Sequence, residues 1–298
     1  AGATQVKFVD RTFNYKHSHA MAVWRHIYEH DNGITNFHFE VSADLLNEEE
    51  LELISKMRPG LIQLEIGVQS TNPLTIREIK RAMKFERVAR IVGRINEGGN
   101  VHQHLDLIAG LPYENYESFE KSFNDVYALN PEQLQLGFLK VLKGSYMKEH
   151  AGEYELVHKS LPPYEVLSTK WLPYEDILKL KRIEEMVEVY YNSGQFRHTL
   201  RHLGDAFAAP FAMFEALGEY YEEEGFHMTN HSRITRYEIL LGFAKRHDSA
   251  REELYRELLV FDLYLRENMK NRPEFAGEYT VEKDCLSEFY EKEAKEHR

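Results

Sequence analysis

The stretch Leu105-Asp106-Leu107-Ile108-Ala109-Gly110-Leu111-Pro112 is an apolar run that carries one carboxylate and stops at glycine and proline. Behind it, from Asn115 to Leu129, apolar residues recur at helical spacing (Phe119, Phe123, Val126, Tyr127). That order reads as a buried parallel strand, a short loop and a packing helix. The segment Leu61-Ile62-Gln63-Leu64-Glu65-Ile66-Gly67-Val68-Gln69-Ser70 has the same grammar, and helical sequence follows it through Ile76, Ile79 and Ala82. In a parallel β/α barrel, polar residues at the C-terminal strand ends face the active site, and Gln69 and Asp106 hold such positions. A carboxylate on an apolar strand is costly to bury without a partner, so Asp106 needs a reason to be there.

Outward from these two segments, residues 1–150 alternate strand and helix in units that signal βα repeats and a parallel sheet. Strands are expected at 6–10, 36–42, 61–68, 101–109 and 133–142, with helices near 19–30, 48–57, 73–84 continuing through 87–97, and 115–129. Five such units are too few to close an eight-stranded barrel, so the expectation is an α/β fold with a partial barrel. From residue 151 the character changes. Extended sequence at 161–172 holds Pro162 and Pro163, and amphipathic helices follow at 174–192, 210–224, 234–246, 250–269 and 281–295. Leu254, Leu258, Phe261 and Leu265 have the spacing of one buried helix face. Residues 151–298 thus read as a mainly helical second domain.

Composition excludes several classes. No apolar run approaches the ~20 residues of a membrane span. The net charge of −12 argues against a large nucleic-acid footprint. The single cysteine, Cys285, fits a reducing cytoplasm and cannot form an intramolecular disulfide. The first residue is Ala1, not Met, and no signal peptide is visible, which suggests an excised part of a longer chain.

The cassettes EIGVQSTNPLTIREIKR (65–81) and HLDLIAGLPYENYESF (104–119), with QLQLGFLKVLKGS (133–145), closely resemble those of radical S-adenosylmethionine (SAM) enzymes. The opening VKFVDRTFN (6–14) resembles the second barrel strand of the cobalamin-associated branch, so the resemblance points to proteins that also carry a cobalamin (B12)-binding domain. It implies a six-stranded partial (β/α) barrel, TIM-like, of which strands 2–6 are present. It also implies a CxxxCxxC loop holding a [4Fe–4S] cluster. Clusters need thiolates, and this chain lacks that loop. The expectation is a truncated chain, inactive alone, whose cluster-loop and cobalamin-binding segments lie upstream in the parent protein. Cys285 is expected to bind no cofactor. The parent would reductively cleave S-adenosylmethionine to a 5′-deoxyadenosyl radical that acts on a small-molecule substrate. Carried over by motif position, the cofactor residues are Glu40, Gln69, Arg81 and Asp106, with Leu139 to Leu142 backing the adenine. A forked guanidinium at Arg81 suits the cofactor carboxylate.

Other readings stand beside this one. Asp106 and Arg81 could form a structural ion pair, and Glu65 and Gln69 could simply bond neighbouring loops. His102 and His104 share a strand face near His38, as a metal-dependent TIM-barrel hydrolase would need. A non-catalytic barrel scaffold is the third alternative. No glycine-rich loop opens a helix, which argues against nucleotide phosphate.

Overall fold

The computed structural model describes residues 2–267, 269, 271–278 and 283–296. Five strands, β1 (Gln5–Lys7), β2 (Asn36–Val41), β3 (Ile62–Gln69), β4 (His102–Ala109) and β5 (Gln133–Phe138), form one sheet in sequential order. Every pairing is parallel. Helices α1 (His17–Glu29), α2 (Glu48–Ser55), α3 (Pro73–Glu78), α4 (Phe85–Gly98) and α5 (Tyr116–Tyr127) lie in the crossovers. This is a partial (β/α) barrel.

Local chemistry sets the helix starts. Asn47 and Glu50 form a reciprocal capping box on α2, while Asn72 with Pro73 opens α3 and Asn115 opens α5. Left-handed Gly99 ends α4. The helix expected over 73–84 and 87–97 is two helices, because Lys80 turns to φ 57° and the chain restarts at Phe85.

Strand alternation divides the sheet. On β3, Ile62, Leu64, Ile66 and Val68 are buried, while Gln63, Glu65, Gly67 and Gln69 are half-buried. The apolar face packs on the helices. Phe39 of β2 meets Phe13 at 4.5 Å and Trp24 of α1 at 5.9 Å between ring centroids.

The strand expected over 133–142 ends at Phe138. Beyond it the chain turns to antiparallel pairing with a hairpin of β6 (Val157–His158) and β7 (Val166–Ser168). Val166 N donates to Leu139 O at 2.8 Å, and Lys140 bridges Glu165. Gly110 (φ 87°) lies under Val166, whose Cγ1 would stand 2.7 Å from an added Cβ, so both conformation and space demand glycine there. A short helix α6 (Tyr146–Glu149) precedes the hairpin.

The outer edge of β5 is sealed by a side chain. α7 (Tyr174–Met186) runs into a π-helical turn, Val187–Asn192, whose last residue mimics a strand. Leu134 N donates to Asn192 Oδ1 and Asn192 Nδ2 donates to Leu134 O, both at 2.9 Å. An exposed edge is an association hazard that proteins cover, and Asn192 covers this one. α9 (Pro210–Glu223) adds Phe211 and Phe214 against Phe123 of α5, with centroids 5.4 and 5.9 Å away.

The chain therefore divides into two compact units, residues 1–194 with 207–226, and residues 195–206 with 227–298. This division does not fall at the boundary expected near residue 150, because α7 and α9 bury their apolar faces with the β/α layer. The second unit contains α8 (Arg197–Leu203), α10 (Arg233–His247), α11 (Glu252–Tyr264) and α12 (Lys283–Glu296). The expected start of the last helix at Val281 lies outside the described residues.

On α11 the expected buried face is corrected. Tyr255, Leu259, Val260 and Leu263 are buried, whereas Leu254, Phe261 and Leu265 are exposed. Two polar anchors fix this rotation. Tyr255 OH donates to Asp248 at 2.6 Å, and buried Asp262 caps α8. The Asp262 carboxylate accepts from His198 N (3.1 Å), His198 Nδ1 (2.7 Å), Thr199 N (2.9 Å) and Thr199 Oγ1 (2.8 Å). Asp262→Ala should therefore destabilise the second unit by about 2–4 kcal/mol, the order expected when buried donors lose an ionised acceptor at a helix start. Denaturant unfolding with fluorescence readout checks it; a midpoint unchanged from the wild type would show that the cap is dispensable.

Candidate functional site

The inner face of the sheet is largely polar. Lys7 of β1, His38 and Glu40 of β2, Glu65 and Gly67 of β3, and His104 and Asp106 of β4 come into register across it. Lys7 pairs with His38, Glu40 with Glu65, Glu65 with His104, and Gly67 with Asp106. Period-two alternation puts all of them on the side away from the helices.

Glu65 is the hub. Lys7 Nζ lies 3.1 Å and His38 Nε2 2.9 Å from its Oε2. Burial works against its charge, but Lys7, His104 and His38 outweigh that and hold its pKa below the ordinary carboxylate range. Glu65 thus bonds across strands, not to neighbouring loops. The pKa values of His38 and His104 are lowered too, mainly by burial, so both favour the neutral ring.

Asp106 is the most perturbed group. Burial first, then the Glu65 and Glu40 carboxylates, raise its pKa to about 8, against only partial relief from Lys7 and Arg81. His104 Nε2 lies 3.2 Å from Asp106 Oδ1 without hydrogen-bond alignment, and both atoms are buried without a hydrogen-bond partner among the described residues.

Arg81 stands in the loop between α3 and α4. Burial lowers its pKa, while Asp44, Glu40 and Asp106 raise it through their charge, in that order. Yet among the described residues its guanidinium makes no hydrogen bond or ion pair, so the structural Arg81–Asp106 bridge is not formed. Gln69 (φ 71°) follows a bulge in β3, since Gly67 pairs with Asp106 and Gln69 already with Leu107. Such bulges re-aim side chains. Here the Gln69 amide folds over Gly67, whose added Cβ would collide with Gln69 Nε2 and lie 3.5 Å from Arg81 Nη1. Gln69 Oε1 is buried without a donor among the described residues.

Glu40, Gln69, Arg81 and Asp106 are therefore brought together. Leu139 and Leu142 are not placed with them. Leu139 is buried beneath the pairing with Val166, and Leu142 is half exposed. Sequence reasoning missed Lys7, Asp44 and the role of Gly67. The alternation Glu65, Gly67, Gln69 beside His102, His104, Asp106 carried the signal for Gly67; Asp44 arrives through a short turn that no periodicity marks. Among the described residues no group of three or more His, Cys, Asp or Glu side chains could hold a metal ion, which removes the support for a hydrolase at His102 and His104. No helix among the described residues is long and apolar enough to cross a membrane.

Residues 2–126 match the family model described as the radical SAM superfamily, and residues 152–298 match one described as a protein of unknown function (DUF4080). Through the first of these regions the chain is similar to the radical SAM superfamily. An oxygen-independent coproporphyrinogen III oxidase of Salmonella typhimurium is 31% identical over 107 residues, 34% of this chain and 23% of that protein. That of Bradyrhizobium diazoefficiens is 29% identical over 86 residues, 28% of this chain and 19% of the relative. The chain thus spans about a quarter or less of the curated relatives it matches. Among solved structures, coproporphyrinogen III oxidase (HemN) from Escherichia coli aligns with a TM-score of 0.45 and 21% identity over 60% of this chain and 39% of that one. The radical S-adenosylmethionine methyltransferase TsrM from Kitasatospora setae aligns at 0.44 and 18%, over 54% and 33%.

Two measurements probe this geometry. Gly67→Ala should fold, since only the tip of a flexible side chain must move, but it should displace Gln69; a crystal structure with Gln69 unmoved would contradict the packing described. Asp106 gives a pH dependence of definite sign. Its folded pKa is raised from 3.8 to about 8, so its contribution is fully present below the unfolded value and is lost as pH rises through about 8. Each pKa unit corresponds to about 1.4 kcal/mol, so the ionised form is penalised by several kcal/mol at most. Asp106→Asn should flatten the fall in melting temperature between about pH 5 and about pH 8.5; an unchanged slope would show that Asp106 titrates normally.

Proposed function

We propose that the intact protein is a radical SAM enzyme in which this sheet edge holds S-adenosylmethionine. The observation that carries the reading is the unpartnered guanidinium of Arg81 beside the donor-less amide oxygen of Gln69, both gathered over a glycine. A buried amide oxygen without a donor and an arginine without an anion are each unfavourable alone. A ligand carrying both a carboxylate and hydrogen-bond donors resolves them together. In this reading Arg81 takes the carboxylate of the amino acid moiety as a bidentate partner. Gln69 accepts from a donor of the ligand, and Asp106, protonated near neutral pH, can donate where an ionised carboxylate could not. Glu40 balances the field at the same lip. Bound S-adenosylmethionine supplies, on one-electron reduction, an adenosyl radical able to take hydrogen from a substrate; the protein's share is orientation and exclusion of competing reactions.

The residues present do not fit a [4Fe–4S] cluster. Clusters are held by several thiolates, and the 298 residues contain one cysteine, Cys285, exposed on α12. The cluster ligands in this proposal lie outside these residues, as does any cobalamin-binding segment. The substrate is taken to be a small molecule and the protein cytoplasmic.

Arg81→Ala in the intact protein should weaken S-adenosylmethionine binding by about ten- to a hundredfold, the loss expected for hydrogen bonds to an ionised group. Arg81→Lys should recover part of it, because an ammonium lacks the fork. Isothermal titration calorimetry beside thermal unfolding decides the matter: unchanged affinity with a large fall in melting temperature would make Arg81 architectural.

A further inference from the structure

The loop after β3 and the turn after β4 meet at one buried carboxyl that the cofactor reading does not use. Glu114 has no solvent exposure. Ser70 Oγ donates to its Oε1 at 2.7 Å, and Ser122 Oγ of α5 donates to the same oxygen at 2.9 Å. Each hydroxyl in turn accepts a backbone amide of the first loop: Asn72 N reaches Ser70 Oγ at 2.9 Å and Thr71 N reaches Ser122 Oγ at 3.0 Å. Two further bonds tie the same loops, Asn72 Nδ2 to Tyr113 O at 2.8 Å and Thr75 Oγ1 to Pro112 O at 2.9 Å.

The residues just before the two ends of the Ser70–Glu114 bond are both left-handed, Gln69 at φ 71° and Tyr113 at φ 61°. Non-glycine residues keep that conformation only where their surroundings over-determine it. The Ser70–Glu114–Ser122 node supplies that determination for Gln69, whose amide lies over Gly67 beside Arg81.

Among the described residues the environment of Glu114 is hydroxyl-rich, and no cation bears on its titration. On α5 the charged pair Lys121 and Asp125 is closed on itself at 2.5 Å, with Asp125 also taking the Thr71 hydroxyl at 2.6 Å. The loop after β3 offers hydroxyls and amides alone. Glu114 Oε2 is buried without a partner among the described residues. Burial raises the pKa to about 7, and the two serine bonds offset this only in part. The neutral acid keeps both serine bonds through Oε1. The ionised acid is a buried charge with no countercharge, which draws water in and loosens the node.

We propose that Glu114 is a positioning residue, a clamp that in its neutral form locks the loops after β3 and β4 together and in its ionised form releases them, thereby setting the pose of Gln69 toward S-adenosylmethionine. Only the last step rests on the cofactor reading. The clamp contributes stability fully below the ordinary carboxylate range and loses it as pH rises through about 7.

Hydrogen exchange at the Thr71 and Asn72 amides, corrected for intrinsic rates and referred to β3 amides, reads the clamp directly. In the intact protein their protection should fall about tenfold between about pH 6 and about pH 8.5. Glu114→Gln should hold it across that range, because a glutamine carbonyl accepts both serine hydrogens without a charge, while Ser70→Ala should lower it at every pH. Calorimetry with S-adenosylmethionine should show affinity falling more steeply over the same range in the wild type than in Glu114→Gln, where only the titration of Asp106 remains. Wild-type protection that is independent of pH, or that falls equally in Glu114→Gln, overturns the clamp. Affinity that falls no more steeply in the wild type than in Glu114→Gln while the clamp opens overturns the positioning role. Exchange as expected with no binding heat at any pH upholds the clamp and removes the cofactor reading instead.

Discussion

The register between β3 and β4 is the constraint on which the rest of the structure depends. Parallel sheets are normally covered on both faces. Here the outer face follows that rule, with Leu64, Ile66, Leu105 and Leu107 buried under helices, while the inner face presents ions and imidazoles. A slip of one residue would send Glu65 and Asp106 into the helix-packed core and turn Leu64 and Leu105 toward the polar side. The cost of burying two carboxylates without partners makes that slip prohibitive, so the residues that give the site its chemistry also enforce the pairing that builds it.

The inner face sorts its carboxylates by the cations beside them. Lys7 and His38 flank Glu65, and the carboxylate there stays ionised. Glu40 and Asp106 have cations that are too few or too distant, and both are pushed toward the neutral acid. Arg81 sits in the field of three carboxylates and bonds to none. A guanidinium closed on a carboxylate would have to exchange that partner for an incoming anion and gain little. One held by longer-range attraction keeps its donors free and still offsets part of its desolvation.

The β/α half was legible because both of its signals are local: apolar runs of strand length, and caps such as Asn47, Asn72 and Asn115 at helix starts. The motif resemblance picked out Glu40, Gln69, Arg81 and Asp106, which the fold gathers. Leu139 and Leu142 were misplaced because the chain after Phe138 leaves the parallel sheet for an antiparallel hairpin, a choice made by Val166 and Gly110 some thirty residues apart on either side. The face of α11 was misread for a similar reason. Periodicity offered Leu254, Phe261 and Leu265, but Asp262 binding the start of α8 and Tyr255 binding Asp248 outweighed the apolar stripe. Asn192 gave no signal at all, since an asparagine that completes a strand edge looks like any helix-end residue.

The bulge in β3 shows how the fold separates two tasks on one strand. With unbroken register Gln69 would face Ile108 and continue the inner-face row. The extra residue, Val68, instead sets Gln69 opposite Leu107, whose side chain belongs to the buried outer face. Gln69 can then return its amide to the inner side only by taking a left-handed backbone and folding over its neighbour, and that neighbour has to be glycine. The same turn carries Ser70 inward to full burial against Glu114. One inserted residue thus fixes three things together: a glycine cradle, an amide aimed into it, and a hydroxyl that ties the loop to the next strand end.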